Sequence, residues 1–310
     1  MRATELHRVI SGAMGLGVCR VAIAGVAASI AASTPAYAQG SAQGKDPCVE
    51  GVRFKADPLG DGAMLAASLA FAGLSQAILS TGELRPLQID AAFDTRRLLP
   101  IDRAAITQTV DTTADAYSNG GLYLALGFAA LDPILSGLRN SREAALVDLT
   151  MYAEAIAFSW GLTNLAKIGF RRPRPMAYIE RDRAIQSGQD PATYNNTSTD
   201  SALSFYSGHS AITATVSATA TYLAFARSGN SMRAWGTLAG GVVLTSFVAV
   251  ERVRSAAHFP TDVIAGTLAG AGIGMLVVHL HRQDSETRHP VWVGTMPAPG
   301  GGGIMVGGAF

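Results

Sequence analysis

The chain has 310 residues, 48% hydrophobic and 15% charged, with a formal net charge of +1 and a mean hydropathy of +0.24. That balance excludes the basic field with which a nucleic-acid-binding protein neutralises successive phosphates, so a ligand must be recognised locally.

The first segment carries Arg2, His7, Arg8 and Arg20, then the apolar run VAIAGVAASIAAS over 21–33. Ala36 and Ala38 have the small-x-small spacing of a signal-peptidase site, which predicts a signal peptide over 1–38 and export to the periplasm. The run is shorter than the roughly 20 residues of a bilayer-spanning helix. Cleavage leaves 310 − 38 = 272 residues, enough for one domain with its own core. Cys19 departs with the leader, and Cys48 remains as an isolated thiol.

Residues 39–60 are polar, without periodicity, and predict a flexible lead-in. Six apolar segments follow, at 62–82, 119–138, 143–167, 208–227, 234–251 and 261–281, rich in Ala, Leu and Gly. They predict an all-α bundle of about six core helices within a domain spanning 61–283. A long polar loop rich in Pro, Asn, Ser and Thr separates the third segment from the fourth. The Gly-rich tail, 284–310, predicts little order.

Several of these segments approach membrane-spanning length, and Gly266, Gly270 and Gly274 make consecutive small-xxx-small steps suited to close helix contact. Asp132-Pro133, Asp148, Glu154 and Asn164 argue the other way, because such groups are expensive in hydrocarbon unless they face a bundle interior. Counting from a cleaved leader, six spanning helices would also put the loop after the third in the cytoplasm, away from an exported substrate. The sequence thus leans to a helical periplasmic protein, soluble or membrane-associated, and leaves its oligomeric state open.

Three clusters carry chemistry. Lys167 is followed by Arg171, Arg172 and Arg174-Pro175; Ser207-Gly208-His209 opens the fourth segment; Arg252, His258 and Asp262 link the fifth to the sixth. In an antiparallel bundle all three meet at one end. Lys167, Arg174 and Arg252 supply cations, and a guanidinium fork matches phosphate oxygens. Ser207 is placed to cap a helix whose free N–H groups at Gly208 form an anion site. Asp262, four residues after His258, can accept a hydrogen bond from one ring nitrogen and leave the other as a nucleophile. His279, His281 and His289 have no such partners and read as solvent-facing or interfacial. No Cys or His cluster has metal-ligand spacing.

The three clusters, in this order, resemble the type 2 phosphatidic acid phosphatase (PAP2) superfamily, which includes bacterial acid phosphatases and vanadium haloperoxidases. Its signature is K-x6-RP, PSGH and SR-x5-H-x3-D; here the parts read Lys167 to Arg174-Pro175, Tyr206-Ser207-Gly208-His209, and Glu251-Arg252 to His258 to Asp262. The six-residue spacing selects Arg174, with Arg172 as the fallback. Tyr206 stands where the signature has Pro, and Glu251 where it has Ser; a carboxylate at 251 could partly neutralise the pocket around Arg252.

The resemblance implies metal-independent hydrolysis of phosphomonoesters through a phosphohistidine, with no cofactor. His258 would be the nucleophile oriented by Asp262, and His209 the general acid and base. Lys167, Arg174, Ser207, Gly208 and Arg252 would hold the phosphoryl oxygens. The substrate would be a lipid phosphate or a small phosphomonoester. A vanadium-dependent haloperoxidase, with vanadate on His258, and a non-catalytic protein with a retained pocket are the alternatives.

Overall fold

A computed structural model describes residues 52–196 and 198–283, together with the backbone of Trp292–Ala298 and Gly301–Gly307. The leader over 1–38, Cys19, Cys48, the lead-in up to residue 51 and His289 lie outside the described residues.

The six apolar segments form the six long helices: α1 (Gly60–Ser80), α3 (Ala114–Arg139), α4 (Arg142–Phe170), α6 (Gly208–Ser228), α7 (Met232–Arg254) and α8 (Pro260–Leu280). Two shorter helices were not expected. They are α2 (Pro100–Thr107) and α5 (Pro175–Gln186), the latter inside the stretch that composition assigns to a loop. Both begin with proline at a first-turn position, where its fixed φ suits a helix and its missing N–H costs nothing. The lead-in is also partly ordered: β1 (Arg53–Phe54) pairs antiparallel with β2 (Arg282–Gln283), joining the two ends of the domain. In the tail, where little order was expected, β3 (Trp292–Ala298) and β4 (Gly301–Gly307) form an antiparallel hairpin.

The core is built from small side chains. Ala125, Ala129, Met151, Tyr152, Val216, Ala220, Leu223 and Val278 come together between α3, α4, α6 and α8. Alanine and glycine let backbones approach closely, and the glycine ladder of α8 does this against α6. A Cβ at Gly266 would lie 2.5 Å from Ser207 O, one at Gly270 2.0 Å from Ala211 O, and one at Gly274 2.4 Å from Thr215 O. Thr215 Oγ1 donates across this seam to Gly270 O at 3.0 Å. The seam holds the start of α6 against the start of α8, where the second and third clusters lie.

The polar groups that argued against membrane contact all face inward. Asp148 is fully buried and paired with Arg227. Asp132 accepts from Tyr152 Oη at 3.0 Å, and Asn164 Nδ2 donates to Ala72 O and Ser75 Oγ, both at 3.3 Å. Glu154 turns toward Asp61 and His281. Outward, by contrast, stand Leu74, Tyr123, Leu138, Leu146, Val243 and Leu268, each more than half exposed. The helices α1, α3, α7 and α8 are long and apolar enough to cross a membrane. An apolar exterior around a polar-paired interior is the arrangement of a membrane-associated bundle.

Candidate active site

The elements bring the three clusters together at one end of the bundle. Helix α4 stops just past Lys167: Arg171 takes the left-handed conformation (φ 44°), its N–H donates to Lys167 O at 3.1 Å, and Pro173 follows within two residues. At the end of α7 the N–H groups of Ala257 and His258 both fold back onto Arg252 O, at 3.2 and 3.3 Å, which is what five intervening residues allow. Backbone bonds then stitch the clusters to one another. Ser204 N–H donates to Arg172 O (3.1 Å), Met176 N–H to Ala256 O (3.0 Å), and Ser207 N–H to Asp262 O (3.2 Å).

His258 is buried, and its Nδ1 sits 2.6 Å from Ser204 O. A carbonyl only accepts, so Nδ1 carries the proton and Nε2 keeps its lone pair. The expected bond from His258 to Asp262 is not made. Asp262 Oδ2 instead accepts from Phe259 N–H at 2.9 Å, capping α8, and from Ser204 Oγ, while Oδ1 accepts from Arg172 Nη1 at 2.5 Å. Asp262 therefore reaches the histidine through Ser204. A first-turn carboxylate has its own helix to cap, and that geometry turns it away from a ring one turn upstream.

Arg172 is thereby accounted for. It bridges Asp262 and the fully buried Asp102 (Nη2 to Oδ2, 2.8 Å) and lies 4.1 Å over the Phe259 ring. Arg174 is the cation of the pair that is held at the site, its Nε and Nη2 resting on Asp200 O (2.9 Å) and Oδ1 (2.7 Å). Glu251 does not neutralise Arg252 either. Its Oε1 accepts from Arg254 Nη1 at 2.8 Å, because successive residues of α7 point in different directions.

The anion-binding groups are unusually free. Arg252 is anchored by Asp115 and by Ser118 Oγ (3.3 Å), yet its buried Nε–H has no hydrogen-bond partner among the described residues. Lys167 Nζ makes no hydrogen bond or ion pair among them, and neither do the N–H groups of Gly208 and His209. Ser207 Oγ caps α6, accepting from Ser210 N–H at 3.4 Å. A Cβ on Gly208 would lie 3.2 Å from Thr163 Cγ2 and 4.0 Å from Lys167 Nζ, so the ammonium sits against this bare stretch of main chain. An unpaired buried donor is costly, and several converging ones suit an oxyanion.

Electrostatics agree with this crowding of cations. Burial, then repulsion by Arg174 and Arg252, lowers Lys167 to about 8. Burial, then Arg252, takes His209 down to about 3. Burial, followed by Arg174, Arg252 and Lys167, holds His258 well below the ordinary histidine range. Both histidines rest neutral.

His209 has a partner that no motif announced. Its Nε2 lies 2.6 Å from Asn119 Oδ1, and Asn119 Nδ2 donates to Asp115 Oδ2 at 3.1 Å, which fixes the amide's orientation. Ser204, Asn119, Asp115 and Asp102 were all missed by sequence reading. Each acts on a charged or ring atom from a segment without a signature, and only Asn119, a lone amide opening an apolar segment, offered any signal.

Residues 148–286 match the family model of the PAP2 superfamily. The match covers 139 of the 310 residues, and over that stretch the chain resembles the PAP2 superfamily. No curated protein and no solved structure matches it. The match begins within α4 and takes in all three clusters, while α1 to α3, with Asn119 and Asp115, precede it. Similarity to the PAP2 superfamily supports phosphatase- or haloperoxidase-type activity in general.

Proposed function

We propose that the chain is a membrane-associated phosphatase that hydrolyses phosphomonoesters through a phosphohistidine on His258. The observation that carries this reading is the set of unpartnered donors beside a histidine of fixed tautomer. Arg252 Nε–H, Lys167 Nζ and the Gly208 and His209 amides stand ready for phosphoryl oxygens, and His258 Nε2 holds a free lone pair. Arg174 joins them by exchanging Asp200 for the substrate.

In the first step His258 Nε2 attacks phosphorus and the bond to the ester oxygen breaks. His209 donates a proton to the leaving alkoxide. Asn119 occupies Nε2 of His209, so Nδ1 is the position that gains and gives this proton. Burial and the field of three cations keep His209 neutral at rest. The incoming phosphate ester offsets that field and raises its proton affinity, so Nδ1 takes up a proton from solvent on binding and has it to give. In the second step His209 takes a proton from water, the oxygen attacks phosphorus, and the N–P bond breaks to release phosphate. The cations and amides stabilise the equatorial oxygens throughout. Ser204 O holds His258 in the reactive tautomer, and Asp262 positions Ser204.

Exposed Leu165 and Phe170 flank Lys167 on α4, and exposed Ile264 and Leu268 continue α8 away from the site. These apolar surfaces beside the proposed phosphate-binding residues favour a lipid phosphate over a small soluble ester. The leader pattern of residues 1–38 supports export to the periplasm.

Detergent-purified protein should release phosphate from p-nitrophenyl phosphate and, faster, from phosphatidate in mixed micelles. His258→Ala should lower kcat on the order of a thousandfold or more, and base-quenched wild type should carry a phosphoryl group on the His258 peptide. Full activity in His258→Ala would overturn the mechanism. Vanadate-dependent halide oxidation without phosphatase activity would favour the haloperoxidase reading instead.

A further inference from the structure

At the opposite end of the bundle from His258, three ionisable side chains from distant parts of the chain meet. Asp61 lies in the first turn of α1, Glu154 in the middle of α4, and His281 at the C-cap of α8. Asp262 and His281 lie at the two ends of α8, 281 − 262 = 19 residues apart, about 28 Å at 1.5 Å per residue. This cluster is therefore separate from the phosphate site.

Asp61 Oδ2 accepts from Asp57 N–H at 2.6 Å, but the three side chains make no hydrogen bond to one another. His281 Nδ1 lies 2.8 Å from Val277 O and so carries the ring proton, which leaves Nε2 with a lone pair. That lone pair faces Asp61 Oδ2 at 3.3 Å and Glu154 Oε2 at 3.4 Å. Charge-assisted N–H···O bonds run at about 2.7–2.9 Å, so these separations are long for an imidazolium bridging two carboxylates. His281 Nε2 and Glu154 Oε1 are both buried with no hydrogen-bond partner among the described residues, on residues left 8% and 4% exposed. One ligand atom from each of the three residues lies within 4.8 Å of the others. A tetrahedral ion with bonds of ~2.05 Å has ligand atoms about 3.3 Å apart along each edge. The two measured separations match that edge.

We propose that Asp61, Glu154 and His281 bind one divalent transition-metal ion, of which zinc is the best fit. Two carboxylates and a neutral imidazole cancel the ion's charge, so a buried anionic pair becomes a neutral site. Oxygen and imidazole donors together favour zinc or manganese over magnesium and calcium, which prefer all-oxygen shells. The Val277 carbonyl supplies the outer hydrogen bond that orients a metal-bound histidine. The ion clips α1 and α8 to α4 beside the β1–β2 pair, where Lys55 N–H also donates to His281 O at 3.1 Å. Its role is to lock the two ends of the domain together.

The test uses the full-length protein in detergent, stripped with a chelator and returned to ZnCl2. One equivalent of zinc per chain is expected, with a Tm rise of about 5–10 °C at a hundred times Kd, and cobalt in its place should give the visible absorption of a tetrahedral site. Glu154→Gln and Asp61→Asn should lose the equivalent of metal and the Tm response. Their phosphatase activity at low temperature should match the stripped wild type, which shows that they fold. Absence of zinc uptake by the wild type would sink the proposal, as would undiminished uptake by both variants. A higher Tm in Glu154→Gln than in zinc-loaded wild type would do the same.

Discussion

At the scale of single residues, the candidate site is marked by donors left unpaired and by contacts that fix which ring nitrogen carries a proton. The Ser204 carbonyl makes that choice for His258, and Asn119 makes it for His209. Lys167 supplies a sharper prediction, because crowding by burial, Arg174 and Arg252 lowers it to about 8. In the proposed mechanism the charged form binds the substrate, so phosphate binding should be complete below that pH and be lost as the pH rises through it. The profile of kcat/KM, which reports the free enzyme, should fall above about pH 8 with the slope of one proton. Lys167→Arg should move this limb upward by more than two pH units, since arginine stays charged. A limb that does not move would assign the titration to another group.

The helix pair α6–α8 illustrates what an element contributes. Their contact is main chain against main chain, and it sets the distance between Ser207-Gly208-His209 and the loop holding His258. Adding a methyl group at Gly270 places it 2.0 Å from Ala211 O, a backbone atom that cannot turn aside. Gly270→Ala should destabilise the protein by roughly 1–3 kcal/mol or more, as overpacking does, and should lower activity by parting the two clusters. Gly272, two residues further along α8, would meet nothing within 4 Å. Gly272→Ala should be neutral or stabilising by up to about 1 kcal/mol from helix propensity. Thermal melts of the two variants decide the point, and equal loss in both would deny the close approach.

For the molecule as a whole, the division between a paired interior and an apolar exterior has a consequence outside the site. Apolar side chains on α1, α3, α7 and α8 present a surface that water does not favour, and four helices have the length to cross a bilayer. The protein should remain with the membrane fraction through washes in high salt and be released by detergent. Release by salt alone would mean that its attachment is electrostatic.

The sequence by itself determined the long helices and the three clusters, because apolar periodicity and fixed spacings are local properties of the chain. Lys167, Arg174, Ser207, Gly208, His209, Arg252, His258 and Asp262 were all legible that way, and antiparallel connection was enough to put them at one end. What needed tertiary structure was every bond between residues far apart in the chain. Asp262 was within reach of His258 by spacing, yet helix capping and Arg172 claim its oxygens, and a carbonyl 54 residues upstream holds the ring. Asp148 and Glu154 counted against a membrane until the fold turned them inward. His281 looked solitary until packing set it beside Asp61, 220 residues away, and Glu154. Local pattern tells which groups a chain possesses, and only packing decides which of them face one another.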